Sequence, residues 1–127
     1  MKNKVLIVDH ELLINKLLES RLTKEGFKVD KALDGISALR KAQLKKYDII
    51  LADIMVPNIA GLELIAELKK TRHNSETPIF VLTALASDEL VVDVLEAGVK
   101  DYIVKPFSLN VVVAKLKQFI LSDLTAA

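Results

Sequence analysis

Two carboxylates, a hydroxyl and an ammonium each stand at the end of a short apolar run in this sequence. These residues are Asp9, Asp53, Thr83 and Lys105. Short apolar runs predict buried strands, and the carboxyl ends of parallel strands meet at one edge of their sheet. A single residue of this kind more often caps a helix or forms a turn. The coincidence of all four at strand ends favours a shared pocket.

The chemistry of this set points to phosphoryl transfer. Asp9 and Asp53 would repel each other, and a hard divalent cation such as Mg²⁺, bound through oxygen, would relieve that repulsion. A carboxylate beside such a cation can act as a nucleophile toward a phosphoryl group. Thr83 and Lys105 can donate hydrogen bonds to the phosphoryl oxygens and neutralise them. The pattern therefore predicts an aspartyl phosphorylation site with Asp53 as the acceptor.

The elements that must position these residues alternate between apolar runs and stretches of helical periodicity. Strands joined by crossover helices are parallel, so the pattern predicts an α/β fold: an open, doubly wound sheet with helices on both faces. Gly26 and Gly98 are predicted to end helices, and Asp34 or Gly35 and then Ser87 are predicted to begin them. The predicted strands are Val5 to Val8, Phe27 to Ala32, Asp48 to Ala52, Pro78 to Leu82 and Asp101 to Val104.

Apolar residues at helical spacing predict which side chains the helices bury. The first predicted stripe contains Ile14, Leu17, Leu18 and Leu22. The stripe of the fourth helix contains Leu90, Val91, Val94 and Leu95.

Composition excludes several classes of protein. The chain has 127 residues, a length typical of one domain, and its formal charge of +1 argues against direct binding of nucleic acid. It contains no Cys, which excludes disulfides and thiolate chemistry. No apolar run reaches the roughly 18 residues of a membrane span, and no secretory signal is visible. We therefore expect a cytoplasmic location and no membrane partner.

In these features the sequence resembles the receiver domain of two-component response regulators. The resemblance extends from Lys4 to about Leu121, which indicates a single receiver domain over residues 1–127. It implies a five-stranded parallel sheet of order 2-1-3-4-5 with five helices. The segments that carry it are Val5 to Asp9, Asp53 to Pro57 with Gly61, Leu82 to Ala84, Ala97-Gly98, Asp101-Tyr102 and Lys105 to Phe107.

The resemblance assigns roles to the phosphoryl and metal site. It implies that Asp53 receives a phosphoryl group from a sensor histidine kinase or a phosphotransfer protein. Mg²⁺ would be held by Asp9, Asp53 and the backbone carbonyl of Met55. Such a domain catalyses its own phosphoryl transfer and slow dephosphorylation, and is not an enzyme acting on a separate substrate.

The resemblance also implies a switch. Thr83 and Lys105 would contact the phosphoryl group, and the Tyr102 ring would turn inward when Thr83 moves. The changed surface would be formed by the fourth helix, fifth strand and fifth helix, through which the domain binds a downstream protein. Apolar residues off the main stripes there, Val92 and Val111, permit a partner face or a homodimer.

Two positions depart from the family pattern. The family usually has a second acidic metal ligand directly after the first, and here that position is His10. Imidazole is a poor ligand for Mg²⁺, so we expect weakened Mg²⁺ binding, with a preference for Mn²⁺ or a pH-sensitive site as further alternatives. Glu11 follows, at a position that in the family normally faces away from the pocket. Ala60 replaces a common Asp in a loop outside the pocket.

Other functions remain open at this point. A pseudo-receiver would keep the fold as a binding module without phosphorylation; His10 favours it, whereas Asp53, Thr83 and Lys105 argue against it. A flavin-binding protein would need a loop of backbone donors after the first strand, and the charged segment from Asp9 to Glu11 opposes that. No effector domain follows residue 127, so the chain is either a single-domain regulator or a fragment of a longer protein.

Overall fold

Strands and helices alternate along the chain. The computed structural model describes residues 3–55, 59, 61–84 and 87–126, with side chains through residue 121. The motif residue Pro57 and the loop residue Ala60 lie outside the described residues. In the part of the chain that is described, no helix has both the length and the apolar character needed to cross a membrane.

The element boundaries agree closely with the sequence prediction. In chain order the elements are β1 (Lys4–Val8), α1 (Leu12–Lys24), β2 (Lys28–Ala32), α2 (Gly35–Leu44), β3 (Ile49–Asp53), α3 (Gly61–Lys69), β4 (Ile79–Thr83), α4 (Asp88–Glu96), β5 (Asp101–Val104) and α5 (Leu109–Ala126). Asp53 and Thr83 are the last residues of β3 and β4, whereas the sequence pattern had placed them one residue beyond.

The strands form one parallel sheet in the order β2-β1-β3-β4-β5, as predicted. The order reverses direction at β1, and such a reversal opens a crevice at the carboxyl ends of the strands. Asp53 lies opposite Leu82, and Thr83 lies opposite Val104. The carboxyl ends of β3, β4 and β5 are thereby level with one another.

The sheet separates two apolar layers because side chains alternate between its faces. Leu6 and Ile50 contribute to a core cluster with residues of α2, α3 and α4. Ile7 and Leu51 contribute to a second cluster with residues of α1 and α5. Both faces of the central strands are covered, which explains why these strands are continuous apolar runs rather than alternating ones.

The helix termini follow the predicted signals. Gly26 and Gly98 end α1 and α4 with φ angles of +96° and +87°, a backbone conformation that favours glycine. The Asp34 carboxylate accepts a hydrogen bond from the backbone N–H of Ser37 at 2.7 Å and so caps α2. The Ser87 hydroxyl likewise accepts from the Leu90 N–H and caps α4.

The predicted burial is wrong for two residues. Leu17 and Leu95 are 47% and 48% exposed, although both belong to apolar stripes. Leu17 precedes the buried Leu18, and Leu95 follows the buried Val94. Adjacent helical residues point about 100° apart, and in these two pairs it is Leu18 and Val94 that face the core.

Candidate functional site

The predicted strand-end residues converge at the carboxyl edge of the sheet. Asp9 directly follows β1, and Asp53 ends β3; both side chains are buried. Lys105 follows β5, and its backbone N–H donates to the Thr83 carbonyl at 2.8 Å. Thr83 is itself buried at the end of β4. Four segments that are distant in sequence thus meet at one pocket.

The Lys105 ammonium is the centre of this pocket. Its Nζ atom donates a hydrogen bond to Asp53 Oδ2 at 2.7 Å and another to Glu11 Oε1 at 2.9 Å. It also lies 2.8 Å from Asp9 Oδ2. The side chains of Lys105, Asp9 and Asp53 are buried, so these two carboxylates and the ammonium compensate one another away from bulk water, whereas Glu11 is exposed.

Glu11 differs from the family expectation. Its carboxylate does not face away but turns into the pocket to contact Lys105. No sequence pattern predicts this contact, because the direction of the Glu11 side chain depends on a lysine 94 residues further along the chain.

The electrostatics of the pocket follow from burial and from the ammonium. Burial raises the pKa of the Asp9 carboxyl, and this exceeds the opposing effect of Lys105. Burial by itself would lower the pKa of Lys105, but its hydrogen bonds to Asp53 and Glu11 and its ion pair with Asp9 outweigh burial and raise that pKa. The hydrogen bond from Lys105 lowers the pKa of the exposed Glu11 carboxyl.

Local backbone contacts fix the Asp53 carboxylate. Its Oδ1 atom accepts a hydrogen bond from the backbone N–H of Met55 at 2.8 Å, and its Oδ2 atom accepts from Lys105. Behind this turn, Gly61 lies against Ile54: a Cβ atom at position 61 would be 2.5 Å from the Ile54 carbonyl oxygen. The glycine of the motif therefore allows α3 to begin directly against the segment that follows Asp53.

Asn15 supports the pocket from below and was missed by the sequence analysis. Its buried Nδ2 atom donates to the backbone carbonyls of Asp9 and Ala32, at 3.0 and 3.2 Å. These bonds join the segment after β1 to the end of β2. A signal was available, because Asn15 lies three residues before Leu18 and seven before Leu22, on the buried stripe of α1.

The oxygen atoms of the pocket fit a hard divalent cation. Asp9, His10 and Asp53 each offer a ligand atom, and these atoms lie within 4.8 Å of one another. The buried Asp9 Oδ2 atom has no well-aligned hydrogen-bond donor among the described residues, although it is near the Lys105 ammonium. Oxygen ligands suit Mg²⁺, whereas the imidazole of His10 suits borderline transition metals.

The predicted switch residue Tyr102 is on β5, beside the pocket strand β4. It lies opposite Val81, and its partly buried ring packs against the core cluster on the α4 side of the sheet. Its backbone N–H donates to the Asp101 carboxylate at 2.8 Å. Thr83 lies two residues beyond Val81 in the neighbouring strand, on the same side of the sheet.

Comparisons with known proteins agree with this geometry. Residues 5–117 match the model of the response regulator receiver domain. Over 116 residues the chain is 40% identical to the transcriptional regulatory protein ResD of Bacillus subtilis; that match covers 91% of this chain and 47% of ResD. The chain therefore spans about half the length of this curated relative.

Solved structures extend the likeness to three dimensions. The chemotaxis response regulator CheY4 of Vibrio cholerae is 30% identical, with a TM-score of 0.87 over 93% of this chain and 98% of that one. The receiver domain of the sensor histidine kinase PA1611 of Pseudomonas aeruginosa, with a magnesium ion coordinated in its active-site cleft, is 30% identical, with a TM-score of 0.85 over 94% of this chain and 98% of that one. On the sequence match, the fold and the pocket, the chain belongs to the response regulator receiver domain family.

Proposed function

We propose that the chain is a phosphorylation-dependent switch in which Asp53 accepts a phosphoryl group from a sensor histidine kinase or a phosphotransfer protein. The observation that carries the proposal is the Asp53 carboxylate at the end of a central strand, 2.7 Å from a lysine ammonium and beside a second buried carboxylate. A structural role alone does not require two buried acids to share one cation, because such pairing is costly.

The transfer assigns a task to each side chain. A carboxylate oxygen of Asp53 forms a bond to phosphorus as the bond from phosphorus to the donor histidine nitrogen breaks, and the departing imidazole takes up a proton from solvent. Lys105 is positioned to neutralise a phosphoryl oxygen, because its ammonium already contacts Asp53. The Thr83 hydroxyl is proposed to donate to a second oxygen.

The proposal includes Mg²⁺, held by Asp9, Asp53 and the Met55 carbonyl, with His10 contributing poorly. When bound, the ion would supply positive charge to the phosphoryl oxygens. The donor set supports this assignment, as does the magnesium ion in the cleft of the related PA1611 receiver domain. The same proposal treats residues 1–127 as one receiver domain and places it in the cytoplasm.

The proposed output surface is formed by α4, β5 and α5. Thr83 and Tyr102 would couple the pocket to it, since β4 and β5 are neighbours in the sheet. Large apolar side chains are exposed on this surface: Val92, Leu95, Val104 and Val111. Together they form the α4-β5-α5 face, which would bind a downstream protein or a second copy of the chain.

Intact-mass measurement after incubation with a small-molecule phosphodonor tests the proposal. We expect a phosphoryl adduct on the wild-type chain that increases with Mg²⁺ and is absent from Asp53→Asn, a variant of nearly the same shape. The adduct should persist in Asp48→Asn, whose carboxylate lies at the opposite end of the sheet beside Lys4. No adduct at saturating Mg²⁺, with the donor or with a histidine kinase, would favour the pseudo-receiver alternative.

A further inference from the structure

Glu11 reaches the same point as the two carboxylates assigned to the metal. Oxygen atoms of Asp9, Glu11 and Asp53 each lie within 2.9 Å of the single Lys105 nitrogen. The Glu11 carboxylate therefore shares a cation with Asp9 and Asp53 already, and its exposed side chain stands at the mouth of the same pocket.

The local structure does not otherwise require this orientation. Glu11 is the N-cap residue of α1, yet its side chain makes no capping hydrogen bond. Ser, Thr, Asp and Asn are the preferred N-cap residues, because their short side chains reach the first free N–H groups of the helix. The glutamate in this place instead directs its carboxylate into the pocket.

Two further observations point to a ligand. The Asp9 Oδ2 atom is buried in the pocket and lies 2.8 Å from the Lys105 ammonium, and no donor among the described residues is well aligned with it. His10, at the position where the second acidic ligand is expected, has a side chain that is 43% exposed, with Nδ1 3.9 Å from Asp53. An imidazole cannot supply the charged oxygen that Mg²⁺ prefers, and the neighbouring carboxylate can.

We propose that Glu11, rather than His10, completes the divalent-cation site with Asp9 and Asp53. The inference rests on the proposed function, because it assigns a ligand to the metal of the same pocket. It replaces the expectation from sequence that His10 leaves the site deficient: the acidic ligand is present, one residue further along the chain.

Direct titration of the purified chain with Mg²⁺ by isothermal calorimetry tests this assignment. We expect Glu11→Gln to raise the Kd for Mg²⁺ by about tenfold, corresponding to about 1.4 kcal/mol. His10→Ala should change that Kd by less than about twofold while weakening Ni²⁺, which binds imidazole well. Glu19→Gln is the matched control for net charge, because Glu19 pairs with Lys31 outside the pocket, and it should leave the Kd unchanged.

A double substitution separates ligation from general electrostatics. In the His10→Asp background a carboxylate is restored at position 10, so Glu11→Gln should then cost less than about threefold in affinity. If Glu11 contributed only long-range charge, Glu11→Gln would raise the Kd for Mg²⁺ by the same factor in both backgrounds. Glu11→Asp is a further test variant, since it keeps the charge but shortens the side chain, and it should also weaken Mg²⁺ binding.

The inference is overturned if Glu11→Gln binds Mg²⁺ as tightly as the wild type, if its loss is equal in both backgrounds, or if the wild type binds no Mg²⁺. The intact-mass assay on the same samples separates this failure from that of the proposed function. A Mg²⁺-dependent adduct on Asp53 with unchanged Mg²⁺ affinity in Glu11→Gln would remove the role of Glu11 and leave the phosphorylation switch in place.

Discussion

Among the side chains of the pocket, Asp9 is the one whose buried charge most clearly destabilises the folded protein. It is fully buried, and Lys105 offsets only part of the penalty for burying its charge. Because folding raises the pKa of the Asp9 carboxyl, the folded protein favours the protonated form of Asp9. The stability that this preference contributes is complete below the ordinary pKa of 3.8 and is lost as the pH rises through the folded-state pKa. At neutral pH the ionised Asp9 therefore lowers the free energy of unfolding.

We predict that Asp9→Asn stabilises the metal-free protein at pH 7 by about 1 kcal/mol, since the amide is neutral but has the same shape. The advantage should shrink as the pH falls toward 4, where the wild-type carboxyl takes up its proton. Denaturant unfolding in the presence of a chelator measures both effects. The exposed Asp93→Asn serves as the control, and equal behaviour of the two variants would contradict the prediction.

The sequence located the strand-end residues because topology alone brings them together. Asp53 and Lys105 follow apolar runs, and any parallel sheet with this chain order places such residues at one edge. The contact of Glu11 with Lys105 depends on side-chain direction, which periodicity does not encode. Asn15 is a polar residue within the buried stripe of α1, and this exception to the apolar pattern could have identified it from the sequence.

Among the helices and strands, the start of α3 is fixed by its contact with the segment after β3. Gly61 leaves no room for a Cβ atom against Ile54. Helix propensity by itself predicts that Gly61→Ala stabilises α3. The close approach predicts the opposite sign.

We therefore expect Gly61→Ala to lower the free energy of unfolding by about 1–3 kcal/mol, as overpacking does. It should also slow phosphorylation, because the displaced turn carries the Met55 N–H that fixes Asp53. Denaturant unfolding and the rate of adduct formation are the two measurements. A more stable Gly61→Ala protein would contradict this prediction, because it would show that the segment around Ile54 can shift without destabilising the fold.

Asn15 couples α1 to the ends of β1 and β2. We predict that Asn15→Ala lowers the free energy of unfolding by about 1–3 kcal/mol, because it removes two buried hydrogen bonds, those to the Asp9 and Ala32 carbonyls. Asn110→Ala, which removes an exposed hydrogen bond to Arg21, should cost less. Chemical denaturation of both variants makes the comparison, and an equal loss would argue against a special role for Asn15.

For the protein as a unit, the architecture was predictable from the sequence, but the extent of the exposed apolar surface was not. The alternation of strands and helices predicted a parallel sheet with helices on both faces, and the family resemblance supplied the strand order. The sequence did not predict that Leu95 remains exposed, because the width of a helix contact depends on tertiary packing. That exposure adds Leu95 to the α4-β5-α5 face.

If the α4-β5-α5 face binds a second copy, treatment with a phosphodonor should increase self-association in sedimentation velocity. We expect Val111→Lys to raise the dimer Kd by at least about tenfold, since it places a charge within an apolar contact. Leu44→Lys is the control, because Leu44 is 80% exposed on α2. Equal weakening by both substitutions, or no dimer in the phosphorylated wild type, would leave this face to a different protein.

The position of Lys105 has a consequence for biosynthesis. Its partners Asp9, Glu11 and Asp53 come from the first half of the chain, separated from it by up to 96 residues. While the ribosome still holds residue 105, the emerging half exposes three carboxylates without their cation. The pocket can therefore close only when the last βα unit arrives, and attraction of the late lysine to the early acids favours docking of β5 at the sheet edge.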